Sequence, residues 1–297
     1  AMTGQAVTLD FLERHPLPQP QGEVDKDARG RVVVVGGNRE TPGAVLLSAV
    51  SALRSGAGKV QIATCSSSAV TLGLMLPEAR VMGVTENENG EIDPARADDV
   101  RARIQKGDAV LIGPGMIDGD AAGTLAASLL ASLEGQTFVL DAAALTGLRN
   151  SVDSLRRHAG RVVITPHAGE MATFMSMDIA EVQADPVAVA RRTAAATHAV
   201  VVMKGSRTHI ASPQGEIWAC QQGNVGLAVS GSGDTLAGII AGLLARGAPP
   251  LLAAQWGVYM HGEAGERLRQ QHGLLGYLAS EIPHQLPAIM RDIEAAA

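Results

Sequence analysis

The chain has 297 residues, of which 46% are hydrophobic and 18% are charged, and its formal net charge at pH 7 is −6. This composition is typical of a globular protein and excludes a disordered chain. An acidic chain with three Phe, two Tyr and two Trp lacks the basic surface and the stacking platform that nucleic-acid binding needs. We therefore expect small-molecule ligands and no nucleic-acid partner.

The sequence also argues against a membrane or secreted protein. No stretch approaches the roughly 20 consecutive apolar residues of a membrane helix. The first residues include acids and prolines where a signal peptide would carry a basic start and an apolar run. Cys65 and Cys220 lie far apart and lack metal-ligand spacing. These features predict a cytoplasmic protein with reduced thiols and no membrane partner.

Short apolar strands alternate with helices from residue 31 onward, after a polar, proline-bearing lead-in at 1–30. The predicted strands span 32–35, 60–63, 109–112, 137–140, 161–164 and 199–203, followed by a hairpin of 208–211 and 216–220. The predicted helices span 44–55, 120–133 and 234–246, and the chain is then helical to its end apart from breaks near Gly273 and Pro283. This alternation predicts a doubly wound α/β fold with a mostly parallel sheet and helices on both faces. Because no repeat or linker is visible, we expect 31–297 to be one domain.

Several unusual residues lie just beyond the predicted strands. They are Asn38, Gly115, Asp141, His167 and Lys204. Ligands of open parallel sheets bind outside the carboxyl ends of the strands. We therefore expect these residues to converge on one crevice, together with the turn at 231–234.

The turn at 231–234 has the sequence Gly-Ser-Gly-Asp and begins a predicted helix. Free backbone N–H groups of Gly231, Ser232 and Gly233 at a helix N-terminus would form an anion hole. Asp234 could simply stabilise the helix start. Alternatively, it could act as a base toward a hydroxyl held beside a phosphate. The turn and the segment before it contain more glycine than a cap requires, which favours the second interpretation.

The other candidate residues leave alternatives open. Neither the P-loop pattern nor the dinucleotide-binding glycine pattern is present. Lys204 could face a phosphate or lie on a solvated turn, and His167 could bind a ligand or cap a helix. Glu170 is expected to be a helix N-terminal acid, and His261 is expected to serve helix packing. The histidines lack ligand spacing, so we predict no metal ligands among them and no zinc site.

In their order, the motifs resemble those of one family. The segments that carry the resemblance are TPGAVLLSAVSALRSGAGKV from Thr41, GPG from Gly113, VLDAAAL from Val139, VITPHAGE from Val163, VVMKGSRT from Val201, GNVGLAVSGSGDTLAGIIAGLLARG from Gly223 and HGEAG from His261. Together, across 31–287, they are similar to the nucleotide-dependent NAD(P)H-hydrate dehydratases, a branch of the ribokinase-like superfamily. The chain resembles the stand-alone form of this domain, which many bacteria fuse to an epimerase.

The resemblance implies a ribokinase-like fold and a hydro-lyase that uses ADP or ATP to dehydrate the S epimer of hydrated NADH or NADPH (NADHX or NADPHX). It assigns the hydrate to Ala44, Gly115, His167 and Asp234. It assigns the adenine nucleotide to Lys204, Gly205, Ser206, Arg207, Thr208 and Gly233. It further implies Mg²⁺ with the nucleotide, a potential role for K⁺, and a homotetramer.

In the mechanism that the resemblance implies, Asp234 accepts the proton of the C6 hydroxyl. The N–H groups of 231–234 stabilise the phosphoryl group during its transfer.

Two other functions remain open. One is a small-molecule kinase of the same superfamily, such as a vitamin alcohol kinase, and the other is a non-catalytic nucleotide-binding sensor. The chain departs from the family at Ala143, where a second acid is usual, and at Val225 and Leu227, where Pro and Met are frequent. These departures concern the pocket, since Asp234 and its glycines are intact.

Overall fold

The computed structural model describes residues 4–20, 28–149 and 151–296. Its strands are β1 Gln5–Ala6, β2 Arg31–Val35, β3 Lys59–Cys65, β4 Ala79–Val84, β5 Ala109–Ile112, β6 Thr137–Leu140, β7 Val162–Ile164, β8 Val200–Met203, β9 Thr208–Ala211 and β10 Ile217–Cys220. Its helices are α1 Leu9–Arg14, α2 Gly43–Arg54, α3 Ser66–Met75, α4 Ala97–Ile104, α5 Gly119–Ser132, α6 Ala142–Thr146, α7 Val152–Arg156, α8 Ala168–Met175, α9 Ile179–Ala184, α10 Pro186–Thr197, α11 Ser232–Ala245, α12 Pro250–His272 and α13 Ile282–Ala296. Short 3-10 turns cover Pro94–Arg96, Val225–Leu227 and Ala279–Glu281.

The strands of the described residues form one sheet in the order β1-β10-β9-β8-β7-β6-β5-β2-β3-β4. Strand β9 runs antiparallel to both of its neighbours, while the other neighbouring pairs are parallel. Strand β2 is flanked in register by β3 and β5, with Val32 opposite both Val60 and Ala109. The predicted mostly parallel α/β sheet, with an antiparallel hairpin near its edge, is confirmed.

Helices cover both faces of the sheet, which explains why its central strands are apolar along their whole length. Alternate residues of β2 enter different cores, since side chains along a strand point to opposite faces. Val32 and Val34 belong to the core that also contains residues of α2, α11, α12 and α13, and Val33 and Val35 belong to the core that contains residues of α4, α5, α8 and α10. None of the described helices is both long and apolar enough to cross a membrane.

Two strands were not predicted, and both lie at the sheet edges. Strand β4 contains an exposed Arg80 and a glycine, which weaken its apolar pattern. Strand β1 lies in the predicted lead-in and pairs with β10. The lead-in also buries Leu12, and the His15 carbonyl accepts a hydrogen bond from Trp256 Nε1 at 2.8 Å. The described part of the lead-in therefore packs onto the fold, and the boundary at residue 31 stays a prediction.

Close packing of α11 against α2 sets the position of the turn at 231–234. Gly238 and Gly242 of α11 face the α2 backbone, and a Cβ at Gly242 would lie only 2.7 Å from the Ala52 carbonyl oxygen. Glycine therefore lets the two helix backbones approach. The Ser48 hydroxyl also donates to the Asp234 carbonyl oxygen at 2.9 Å, which ties the first turn of α11 to α2.

Candidate active site

The turn that begins α11 needs glycine at its first position. Gly231 has φ +88°, a left-handed conformation that side chains rarely adopt, and a Cβ there would lie 2.5 Å from Leu47 Cδ1. The Ser232 N–H, which was predicted to face an anion, instead donates to the Val229 carbonyl at 3.2 Å. In the described part of the chain, the N–H groups of Gly233 and Asp234 have no partner. The start of α11 thus keeps free donors for an anion.

Asp234 lies partly buried in this first helical turn. The pKa of its carboxyl is raised to about 7, first by burial and then by the Asp141 and Glu170 carboxylates, while the Lys204 ammonium opposes them. A carboxyl with a pKa near neutrality can accept a proton from a hydroxyl at working pH. The geometry therefore supports a base at the position where the sequence predicted one.

Lys204 lies at the centre of a charged cluster beside the turn. Its Nζ is 3.2 Å from Asp141 Oδ1 and 3.4 Å from Glu170 Oε2. Although burial lowers the pKa of Lys204, the two carboxylates raise it by more, so the side chain stays cationic. A Cβ at Gly233 would lie 3.4 Å from Nζ, so glycine there leaves room beside the ammonium. Asp141 is only 2% exposed and also accepts from Thr165 Oγ1 at 2.8 Å.

His167 caps α8, as one of the two interpretations of the sequence predicted. Its Nδ1 accepts from the backbone N–H groups of Gly169 and Glu170 at 3.0 and 3.2 Å. The backbone N–H of His167 donates to Glu170 Oε2 at 2.8 Å. Because Nδ1 accepts, the ring proton of neutral His167 is on Nε2. The side chain is 58% exposed, so it can still reach a ligand. Glu170 is the expected helix acid, and it also binds Lys204.

Ala44 and Gly115 lie together where α2 meets the loop after β5. Gly115 has φ +72°, and a Cβ there would lie 2.9 Å from the Ala44 Cβ. The Thr41 hydroxyl donates to the Gly115 carbonyl at 2.6 Å. These contacts form a small-residue wall that allows a ligand to approach the backbone closely.

A cavity of about 710 Å³ opens beside Lys204 and the turn. This volume is in the range of ligand pockets. Its lining residues are His167, Lys204, Gly205, Ser206, Thr208, Gln222, Gly223, Asn224, Val225, Leu227, Ala228, Val229, Ser232, Gly233, Leu236, Val258 and His261. It contains most residues predicted to bind the nucleotide, but Arg207 is not part of its lining. Ala44, Gly115, Gly231 and Asp234 also lie outside its lining.

His261 lies between α12 and the start of α11, in agreement with the predicted packing role, and it contacts the turn directly. Its Nε2 lies 3.0 Å from Ser232 Oγ and 3.1 Å from the Ser232 carbonyl oxygen. The pKa of His261 is lowered to about 4, mainly by burial and also by the Lys204 ammonium, while the hydrogen bond to the Ser232 backbone opposes them. The ring is therefore neutral. The glycines beside it in HGEAG were the available signal, because they allow α12 to pack close to the cavity wall, where Gly262 lies against Gln222.

Asn38 was predicted to face the crevice, but its side chain is engaged elsewhere. Its Nδ2 donates to Glu91 Oε1 at 2.9 Å and to the Asn89 carbonyl at 3.2 Å. Glu91 is 1% exposed and was not singled out from the sequence, because an acid in a polar stretch is usually solvated. Among the described residues, no group of three or more His, Cys, Asp or Glu side chains is placed to hold a metal ion.

The chain is similar to known proteins over nearly its whole length. The family model described as NAD(P)H-hydrate dehydratase matches residues 32–288. The ADP-dependent (S)-NAD(P)H-hydrate dehydratase of Xanthomonas campestris is 45% identical over 296 residues, which cover 97% of this chain and 98% of that protein. The ADP/ATP-dependent NAD(P)H-hydrate dehydratase of Bacillus subtilis, co-crystallised with ATP/Mg²⁺, has a TM-score of 0.84 at 30% identity, covering 99% of this chain and 100% of that one.

The solved structures also test the fold. A ribokinase-like superfamily protein from Enterococcus faecalis has a TM-score of 0.83 at 29% identity and covers 97% of this chain and 96% of its own. The predicted ribokinase-like fold is therefore confirmed. The family match and the 45% identical relative agree with the motifs quoted above, and the chain belongs to the NAD(P)H-hydrate dehydratase family.

Proposed function

We propose that this chain dehydrates the S epimer of NADHX and NADPHX with ADP or ATP as phosphoryl donor, and that Asp234 is its base. The observation that carries this proposal is the position of Asp234. This partly buried acid, with a pKa of about 7, lies in the same helical turn as the free N–H groups at the start of α11. The names of the Xanthomonas and Bacillus relatives support the substrate and the nucleotide. The product is the reduced nicotinamide cofactor, so the reaction is one of metabolite repair.

The chemistry requires that a hydroxyl become a good leaving group. Asp234 accepts the proton of the C6 hydroxyl while that oxygen attacks the terminal phosphoryl group of the nucleotide. The N–H groups of Gly233 and Asp234 stabilise the negative charge on this group, and Lys204 adds a positive charge beside them. The transfer releases AMP from ADP, or ADP from ATP. The C–O bond then breaks, and phosphate leaves with the electron pair while the lone pair of the ring nitrogen forms a C=N bond to C6. Loss of a proton from C5 then gives the C5=C6 double bond of the dihydronicotinamide.

The nucleotide and the hydrate would occupy neighbouring regions. We assign the nucleotide to the cavity, where Lys204, Gly205, Ser206 and Thr208 form one side and Gly233 forms the end nearest the turn. Arg207 remains a predicted nucleotide contact from its place in the same loop. We assign the hydrate to the small-residue wall.

In this arrangement the hydrate contacts Ala44 and Gly115 on the wall, with His167 and Asp234 at its reacting end. The close approach of Gly115 to Ala44 supports this, because a backbone without bulky side chains accommodates a flat ring. The His167 side chain is 58% exposed, with Nε2 3.5 Å from Glu170 Oε1, and its Nε2–H would donate to a polar group of the hydrate.

Mg²⁺ is expected with the nucleotide, and the acidic residues here fit it. Mg²⁺ in nucleotide sites is bound by one or two carboxylates together with phosphates and waters. Asp141 and Glu170 supply two carboxylates next to Lys204, which would itself face the phosphates. When bound, the ion would neutralise phosphate charge. The role of K⁺ remains a prediction, tested by comparing activity in potassium and sodium buffers.

We also propose a cytoplasmic homotetramer. Both cysteines are free and buried, which suits a reducing compartment. Helix α3 exposes Val70, Leu74 and Met75, an apolar surface that association would cover. Light scattering coupled to size exclusion would measure the mass of the assembly.

The decisive experiment is absorbance at 340 nm with NADHX, Mg²⁺ and either ADP or ATP. We expect a nucleotide-dependent rise for the wild type and for Asp120→Asn, an exposed acid in the first turn of α5 that serves as a matched control. Asp234→Asn should lose at least about 10²-fold in rate, the lower range for a general base. No rise with either nucleotide for folded wild type would overturn the proposal, and a phosphorylated alcohol product would indicate a kinase.

A further inference from the structure

A buried carboxylate outside the predicted site connects three loops at the carboxyl end of the sheet. Glu91 is 1% exposed, and its Oε1 accepts from three donors. These are Asn38 Nδ2 at 2.9 Å, the Ile117 N–H at 2.6 Å and the Asp118 N–H at 2.9 Å. Its Oε2 is buried and has no hydrogen-bond partner among the described residues. Hydrogen bonds to a charged acceptor are the strong ones, so Glu91 fixes all three donors.

The loops that Glu91 joins are those that build the small-residue wall. The Gly115 loop (113–118) follows β5, and the Thr41 loop (36–42) follows β2 and leads into α2. Pro114 accepts from the Gly37 N–H at 2.7 Å. The Thr41 hydroxyl donates to Gly115 from the other side. Besides the backbone bond between Gly37 and Pro114, two side chains hold the wall, those of Thr41 and Glu91.

The wall is in turn linked to the base through α2. Ala44 lies one turn before Ser48, whose hydroxyl binds the Asp234 carbonyl oxygen. A shift of the Gly115 loop against Ala44 would alter the distance between a bound hydrate and Asp234. No residue of the Gly115 loop lines the cavity beside Lys204, so we expect a smaller effect of this shift on the nucleotide than on the hydrate.

We propose that Glu91 is a positioning residue that fixes the hydrate-binding wall through the Ile117 and Asp118 N–H groups. The inference rests on the function proposed above. Loss of the Glu91 contacts is expected to act on the hydrate and not on the nucleotide. If Glu91 served only the stability of the fold, its loss would destabilise the folded state and change KM for the hydrate and for the nucleotide equally.

The test compares Glu91→Gln with Glu86→Gln. Glu86 lies in the same loop and accepts from Ser67. It also pairs at 3.4 Å with Arg39 of the Thr41 loop, an exposed side chain, but among the described residues it has no hydrogen bond to the Gly115 loop. A glutamine at 91 replaces a charged acceptor by a weaker neutral one and leaves a buried N–H group at the place of Oε2. We expect KM for NADHX to rise about tenfold, the effect of one weakened charged hydrogen bond, while KM for the nucleotide stays within about twofold. Glu86→Gln should change neither value.

A second variant keeps the inference testable if Glu91→Gln folds poorly. Thr41→Val removes the bond to Gly115 at the other attachment point, and Thr41→Ser retains it. Thr41→Val should reproduce the selective rise in KM for the hydrate. Thr41→Ser should have the KM of the wild type. Equal rises for hydrate and nucleotide in these variants, or equal behaviour of the 91 and 86 variants, would overturn the proposal.

Hydrogen exchange separates this inference from the proposed function. The Ile117 and Asp118 amides are expected to exchange faster in Glu91→Gln than in wild type or Glu86→Gln, whatever reaction the enzyme catalyses. If the wild type fails to turn over NADHX but this exchange difference is found, the proposed function is wrong and Glu91 still positions the loop. Unchanged exchange at both amides would refute the role of Glu91 itself.

Discussion

Replacing Asp234 by Asn should stabilise the protein while it inactivates the enzyme. The folded-state pKa of Asp234 is raised from 3.8 to about 7, with burial as the main cause. The charged carboxylate is therefore disfavoured in the folded state relative to the unfolded chain. An uncharged Asn of nearly the same shape removes this penalty.

The magnitude follows from the size of the shift. About three pKa units at 1.36 kcal/mol each give an upper limit of about 4 kcal/mol for the penalty at high pH. Asp234 is only partly buried, so solvent reduces that limit. The variant also loses the favourable interaction of an acid with the helix start, which is worth about 0.3–1 kcal/mol. We expect a net gain of roughly 2 kcal/mol in unfolding free energy at pH 8.

The stability gained by Asp234→Asn should depend on pH. Above pH 7, both folded and unfolded Asp234 are charged and the whole penalty applies. As the pH falls from 7 toward 4, folded Asp234 takes up a proton before the unfolded chain does, and the penalty disappears. The advantage of Asp234→Asn should therefore shrink to nearly zero near pH 4.

Reversible urea unfolding of wild type and variant at several pH values between 4.5 and 8 measures this difference. Asp120→Asn is the control, since that side chain is 93% exposed and should give little change at any pH. If Asp234→Asn is no more stable at pH 8, or if its gain is equal at pH 4.5, the carboxyl is not held at a raised pKa and the assignment of the base loses its physical support.

Three further predictions concern activity and packing. The wild-type kcat/KM for NADHX should fall about tenfold per pH unit below pH 7, because only deprotonated Asp234 is a base, and a profile flat to pH 5.5 would contradict this. Lys204→Met should weaken ADP binding, measured by calorimetry, by about 1.5–3 kcal/mol. The same variant should move the pH profile upward, since the ammonium lowers the pKa of Asp234, and a downward shift would show that the cation acts otherwise. Gly231→Ala should destabilise the fold by about 1–3 kcal/mol and reduce activity, because its Cβ would contact Leu47 and its φ is positive. Gly215→Ala is the control: φ is positive there too, but the added Cβ has no atom within 4 Å. It should destabilise the fold less and leave activity unchanged.

The local sequence predicted the elements whose signals lie within a few residues. The valine run of β2 ends in two glycines, and such a run is stable only as a strand covered on both faces. The glycines before Asp234 likewise indicated a helix start with free N–H groups, because a side chain at position 231 would be strained at its φ of +88°. The order of these motifs was sufficient to predict the family.

The tertiary structure decided the contacts between segments that are distant in sequence. His261 touches Ser232 only because α12 packs against α11, and Glu91 reaches the Gly115 loop only because the loops after β2, β4 and β5 lie next to each other. Folding also set the ionisation of Asp234, His261 and Lys204, since the pKa of a side chain depends on the charges and the solvent around it. Burial is the main cause for Asp234 and His261, whereas the Asp141 and Glu170 carboxylates keep Lys204 cationic. The sequence alone determined which chemical groups the protein has, and packing determined which of them face one another, because desolvation and hydrogen bonding across segments exist only in the folded chain.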